Sequence, residues 1–276
     1  MQRVIGKFGD RFNFLDLPDP EAHLLGDLRW GSFEHPLTPA FWVAQAWMTG
    51  TPSAGSFQLG RTLEEEVTYC VLGGYGIPAE VGVAAAEKVC RALPQLATAD
   101  DQCSMLRELL SNPLQIGGRS VKYRFAAQRA AYLARALSML TALDESELSD
   151  VALRNSLLKL PGVGLKTASW IVRNRRASND VAILDIHIVR ACKIMGVFPR
   201  AADPARRYFE LEERFLAFCR ATGSAASSMD AVMWSTMRAL GQKFMQQLVD
   251  GVMCVGNSSD RNYSEGANDG VEWLAR

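Results

Sequence analysis

The chain has 276 residues, 48% hydrophobic and 22% charged, and its 30 basic and 30 acidic side chains leave no formal net charge. That length suits one large domain or two lobes around a real core. Neutrality excludes a global basic field, so any contact with nucleic acid must come from a local cluster. No apolar run is long enough for a transmembrane helix, and the start, MQRVIGKFGDRFNF, has no apolar signal core, which points to the cytoplasm. The six cysteines (Cys70, Cys90, Cys103, Cys192, Cys219 and Cys254) form no C-x-x-C pair and only three histidines exist. Zinc and iron–sulfur ligation are therefore not expected, and the cysteines read as reduced core residues.

Residues 1–37 have weak periodicity with room for short strands such as RVIGKF. Thr38-Pro39 is an N-cap followed by proline at the first helical position, and AFWVAQAWM continues it. Thr62-Leu63-Glu64-Glu65 is a capping box before EEVTYCVLGG, closed by Gly73, Gly74 and Gly76. Pro78 starts PAEVGVAAAEKVCRAL, Asp100 or Asp101 caps QCSMLRELLS, and residues 112–120, NPLQIGGRS, read as a loop. YRFAAQRAAYLARALSMLTAL is a long amphipathic helix, and DESELSD an acidic connector. Helices are expected at 151–159, 165–176, across IHIVRACKIMGV, after the Asp203-Pro204 cap, and from Met229 to Leu248, before a polar stretch at 256–266.

Between the helices at 151–159 and 165–176 lies LPGVGLKTA. Gly162 and Gly164 can take the positive φ of a tight turn, while Leu160 and Val163 can anchor it to the core. The backbone N–H groups of residues 162–166 then open the second helix without intrahelical partners, a site for an anion such as a DNA phosphate. Arg154, Lys159, Lys166, Arg173, Arg175, Arg176, Arg190 and Lys193 crowd a stretch whose acids are Asp180 and Asp185, a local basic patch on a neutral protein. A helical hairpin with a solvated charged rim would look the same.

LPGVGLKTA resembles the helix-hairpin-helix of the base-excision DNA glycosylase superfamily, and VAILDIHIVR resembles the loop and aspartate that follow it. The resemblance is close over residues 157–195 and looser over about 62–245. It implies a mainly all-α protein of two helical lobes, with the active site in the cleft between them and short strands near the N-terminus. We read residues 1–60 as an N-terminal segment packing with the C-terminal helices, 61–195 as the helical core carrying the hairpin (151–176), and 196–276 as the helices completing the second lobe. The resemblance implies a bifunctional DNA glycosylase/AP lyase acting on damaged or modified duplex DNA, most simply 8-oxoguanine, as a monomer and without a membrane; a glycosylase for another modified base, phage-specific bases included, and a non-catalytic DNA-binding clamp are the alternatives. On the nucleoid of a bacterium it would meet that substrate. No cofactor is expected beyond a structural monovalent cation at the hairpin.

A free lysine amine is protonated at neutral pH, with a reference value of about 10.4, and becomes a nucleophile only where burial or nearby cations depress it. Lys166 could then attack C1′ of a deoxyribose; otherwise it touches phosphate or solvent. Nineteen residues on, Asp185 sits in the apolar run VAILDIHIV. It can stabilise positive charge on the sugar, cap the helix from Ile186, or do both. In the family the matching aspartate is the catalytic carboxylate, and lysine at the position of Lys166 marks the bifunctional branch. In 8-oxoguanine glycosylases a histidine in the same Asp-x-His arrangement approaches a phosphate of the flipped nucleotide, which implies that role for His187; a polar residue at a helix start is the alternative, and Arg190 lies one turn on.

A base inside a duplex must be flipped out to be reached. By loose alignment Gln128, Arg129 and Tyr132 belong to the segment that wedges into the helix and reads the opposite base; an amphipathic core helix is the alternative. Asp230 and Trp234, four apart on one helical face, are similar to an Asp-x-x-x-Trp pair lining the base pocket of archaeal 8-oxoguanine glycosylases; a buried tryptophan beside a cap is the alternative. Phe41, Trp42, Gln45 and Trp47 can form the opposite pocket wall or plain core. Where many relatives carry a glutamine-rich turn after the first core helix, this chain reads GGYGIPAE, which leaves the excised base open.

Overall fold

The computed structural model describes residues 1–50, 57–74, 76–98 and 100–240. The end of the expected helix to Leu248, Cys254 and the polar stretch at 256–266 lie outside them. Among the described residues the protein is mainly helical, with ten α-helices and three two-stranded hairpins.

The chain opens with β1 (Gln2–Phe8) and β2 (Arg11–Leu17), antiparallel with Val4 opposite Leu15. A short pair follows, β3 (His23–Leu25) and β4 (Leu28–Arg29). The helix α1 (Pro39–Thr49) starts where Thr38 accepts from the Phe41 N–H, with proline in the first turn. The first hairpin lies on α1 through Trp47: its ring meets Phe8 edge-to-face at 5.0 Å. A Cβ on Gly6 would come within 2.7 Å of that ring, so glycine is what lets strand and helix approach.

Next come α2 (Leu63–Leu72), α3 (Ala79–Leu96), α4 (Gln102–Ser111) and α5 (Ala126–Leu140). Thr62 caps α2 by accepting from the Glu65 N–H, and Asp101, not Asp100, caps α4. The capping box is shifted by one residue on its return arm, since Glu65 accepts from the Arg61 N–H at 2.6 Å. The expected loop at 112–120 is instead a hairpin of β5 (Leu114–Ile116) and β6 (Arg119–Val121). Gly117 and Gly118 both have positive φ (+55° and +77°), the two-residue turn whose twist matches paired strands.

The remaining helices are α6 (Asp150–Leu157), α7 (Leu165–Arg176), α8 (Ile186–Met195), α9 (Pro204–Ala221) and α10 (Ala226–Ala239). Two apolar cores result. One gathers side chains from α2 to α7 and ends at Val181. The other joins the N-terminal hairpins and α1 to the segment from Ala182 through α8, α9 and α10. The cores thus divide at residues 181/182, before α8, whereas the sequence reading kept residues to 195 with the central helices. Chain continuity suggested that grouping; the apolar face of α8 (Ile188, Cys192, Met195) turns the other way.

The seam between the cores is crossed by buried ion pairs. Arg154 of α6 donates to Glu212 of α9 at 2.5 Å, with side chains 6% and 7% exposed. Arg173 of α7 donates both to Asp230 Oδ1 (2.9 Å) and Oδ2 (3.2 Å) of α10. Such pairs cost desolvation when formed, but removing one member strands the other. Arg154→Ala and Glu212→Ala should therefore each lower stability by about 3–5 kcal/mol. The glutamate change should be the costlier, because Glu212 Oε1 also accepts from the buried Ala182 N–H. The double variant should fall well short of the sum in urea unfolding, since both changes remove one interaction.

Candidate active site at the hairpin and the α8 N-terminus

The turn between α6 and α7 is built as the residues require, with one difference. Gly162 has φ +78°, but Gly164 has φ −95° and is the N-cap of α7. Only the first glycine is needed for a left-handed backbone. Leu160 and Val163 are buried and pin the turn to the core, with the Val163 N–H donating to the Leu160 carbonyl at 3.2 Å. At position 164 a side chain would meet open space, and no side chain caps α7. The first-turn N–H groups of α7 therefore face outward with the positive end of the helix dipole.

Tyr132 of α5 lies against this turn: a Cβ on Gly162 would stand 2.5 Å from its ring. The Tyr132 hydroxyl accepts from Gln128 Nε2 at 3.2 Å, so two of the three wedge candidates share a contact beside the hairpin. Gln128 is exposed, Arg129 and Tyr132 half-buried. The Arg129 Nε is enclosed without an acceptor among the described residues.

Lys166 is the second residue of α7 and half-buried. Asp185 is 9% exposed and caps α8, accepting from the His187 N–H at 2.9 Å and the Ile188 N–H at 3.0 Å through one oxygen, Oδ1. The capping role is thus met while Oδ2 takes no part in it. His187 gathers the charges. Burial holds its pKa below the ordinary value, Asp185 raises it, and Arg190, Arg238 and Lys166 lower it further. The start of α7 reaches the core that carries α8, since Leu165 packs against it. Trp234 is 40% exposed and meets the His187 ring edge-on at 6.4 Å, and Arg238 stacks over Trp234 at 5.0 Å. Arg238 was not picked out from the sequence, although it stands one turn past Trp234 on the same helix. Burial also lowers the pKa of Arg190, with Asp185 opposing.

Three expected features change. The basic patch is largely a set of internal clamps: Arg154 and Arg173 pair as above, Arg175 binds Glu145 at 2.8 Å and Arg176 binds Asp150 at 2.9 Å. Their acids lie outside the stretch that was counted. Asp230 is 3% exposed with both oxygens taken by Arg173, whose other face covers Phe57 at 4.5 Å, so Asp230 is not open to a base edge. Trp42 is fully buried and belongs to the core, with Phe41 against it edge-to-face at 5.1 Å. Gln45 is half-buried, and Trp47 supports the N-terminal hairpin. A cavity of about 580 Å³ lined by Gln58, Arg61, Tyr69, Glu87 and Cys90, among others, contains none of the candidate residues. Among the described residues no three His, Cys, Asp or Glu side chains are placed to hold a metal ion, and no helix is long and apolar enough to cross a membrane.

Two outcomes follow. Gly162→Ala meets both a left-handed backbone and the Tyr132 ring, and should destabilise by more than about 1 kcal/mol; thermal unfolding measures it, and Gly164→Ala should cost less. Asp230 is pushed up from 3.8 to about 7, chiefly by burial and further by Asp185, against the pull of Arg173. A carboxyl raised on folding favours the folded state most below its unfolded value, and that contribution is lost as pH rises through the folded value. Between pH 5 and 8 the stability of Asp230→Asn, neutral throughout, should therefore rise relative to the parent protein in urea unfolding.

Residues 58–224 match the family model for 8-oxoguanine DNA glycosylase of the Ogg helix-hairpin-helix type. The N-terminal hairpins, α1 and α10 lie outside the matched region. An 8-oxoguanine DNA glycosylase/AP lyase of Metallosphaera sedula is 29% identical over 131 residues, covering 46% of this chain and 62% of that protein. The match thus spans under two thirds of the relative's length. The crystal structure of Methanocaldococcus jannaschii 8-oxoguanine DNA glycosylase is similar in fold, with a TM-score of 0.55 at 22% identity over 74% of this chain and 96% of that one. That of the Thermotoga maritima 8-oxoguanine DNA glycosylase gives 0.48 at 25% identity, over 62% and 77%.

Proposed function

The chain belongs to the 8-oxoguanine DNA glycosylase family, and we propose that it excises 8-oxoguanine from duplex DNA and cleaves the strand through a Schiff base on Lys166. The observation that carries this reading is that Leu165, next to Lys166 at the uncapped start of α7, packs against the core that carries α8, whose N-cap is Asp185.

In this reading a backbone phosphate docks on the N–H groups of residues 164–166, helped by His187 and Arg190. Trp234, with Arg238 behind it, offers a face on which the flipped base stacks. As the bond from C1′ to the base breaks, its electron pair leaves with the base and positive charge grows on the sugar. Asp185 stabilises that charge through the oxygen not used in capping. Lys166 gives up one proton, which ends on the departing base, and bonds to C1′; a second proton passes from its nitrogen to O4′ as the C1′–O4′ bond breaks, giving the protonated imine. Loss of a proton from C2′ then expels the 3′ phosphate by β-elimination, and water releases the amine. A monovalent cation at the hairpin would be held by turn carbonyls, and no step runs through it. The partner is double-stranded DNA bound by a monomer.

Borohydride trapping tests this against duplexes that each carry one modified base. We expect a covalent protein–DNA adduct on the 8-oxoguanine duplex that is lost in Lys166→Gln, while Asp185→Asn still binds but excises about 100- to 1000-fold more slowly. An adduct on a different base alone would replace the substrate. Base release with no adduct would make Lys166 a phosphate contact and the enzyme monofunctional.

A further inference from the structure

The segment that delivers Asp185 is a buried coil. Ala182, Ile183 and Leu184 are 1%, 6% and 4% exposed and belong to neither helix nor strand. A buried coil needs partners for its backbone N–H and C=O groups. Here two side chains of α9, one turn apart, supply them. Glu212 Oε1 accepts from the Ala182 N–H at 3.0 Å, Tyr208 donates to the Ala182 carbonyl at 2.7 Å, and the Leu184 N–H donates to the same hydroxyl at 3.4 Å. Burial raises the Tyr208 pKa, keeping the phenol protonated as a donor. Glu212 is itself fixed by Arg154 of α6, the first helix of the hairpin, and Arg154 stacks on Phe209 at 4.9 Å.

We infer that Tyr208 and Glu212 are positioning residues: they hold Ala182–Leu184 in register with the hairpin, so that Asp185 of one core stands opposite Lys166 of the other. This rests on the reading of Asp185 as the carboxylate that stabilises the sugar cation. Neither residue touches substrate, and their effect runs through the backbone. The node is a chain from α6 through Arg154, Glu212 and Ala182 to Asp185, so the helix start that grips DNA and the carboxylate that serves the reacting sugar are fixed to a common part.

Tyr208→Phe removes one oxygen and keeps the ring. The test compares single-turnover excision from an 8-oxoguanine duplex, β-elimination at a preformed abasic site, and affinity for a duplex carrying a tetrahydrofuran abasic analogue, each per borohydride-trappable site. Misplacing Asp185 should slow excision about 10- to 100-fold. Binding should stay within about twofold, because it is made equally in ground and transition states. Imine formation at an opened abasic sugar, which builds no such cation, should fall far less than excision. Glu212→Gln keeps an oxygen for the Ala182 N–H but leaves Arg154 without its counter-charge, so it should lose more stability than Tyr208→Phe and less excision per site. Excision unchanged in Tyr208→Phe would overturn the inference. So would a uniform loss of all three readouts, or excision losses that follow the order of the stability losses. If the parent protein releases no base from any duplex, the function reading itself fails and the positioning role with it; that result is read without a variant.

Discussion

A charge inside a protein must meet its opposite or be released to water, and this molecule places its opposites on different sides of a seam. Arg154 and Arg173 belong to the helices that flank the hairpin, while Glu212 and Asp230 belong to α9 and α10. Both pairs close across the seam and are buried there, so they favour the arrangement of the cores that closes both. Apolar packing alone is tolerant of small rotations, whereas a bidentate guanidinium–carboxylate contact is directional. A buried Glu66 does similar work nearby, accepting from the Leu59 and Gly60 N–H groups and from Asn174 of α7, and so fastens the segment of chain that enters the core from α2 to α7.

Electrostatically the site inherits its character from this seam. Asp185 spends one oxygen on the first N–H groups of α8, and lies close enough to Asp230 to disfavour its ionisation. Burial and three neighbouring cations hold the His187 pKa below its ordinary value, against the opposing effect of Asp185. On a protein with no net charge, the phosphate contact proposed above would rest on the helix-start N–H groups of α7 and not on a global basic field.

What could be read from the sequence was what neighbours decide. The caps at Thr38, Thr62, Asp185 and Asp203 depend on residues two or three positions away, and the hairpin turn is contained in LPGVG; these formed as expected, except that Gly164 keeps a negative φ. The Gly117-Gly118 hairpin was also local, but strands of three residues leave almost no alternation to notice. The rest was decided at a distance. The arginines read as a DNA-facing patch meet acids 26 to 58 residues away, and a count of charge along the chain cannot see them. Trp42 carries the same aromatic signal whether it lines a pocket or fills a core, and only the return of α8 to α10 over α1 decides for the core. Tyr208 and Glu212 matter because of the backbone they touch, which leaves no mark at their own positions.

The order in which the cores are completed has a consequence for how the protein is made. The core from α2 to α7 is contiguous in the chain and can close as soon as it leaves the ribosome. The other core needs the first hairpins and α1 together with α8, α9 and α10, the two halves separated by that entire contiguous unit. At ordinary rates of translation the N-terminal half waits on the order of ten seconds for its complement, with Trp30, Trp42 and Leu37 unburied meanwhile. The apolar side chains of the first fifty residues therefore stay without their partners until α10 has emerged.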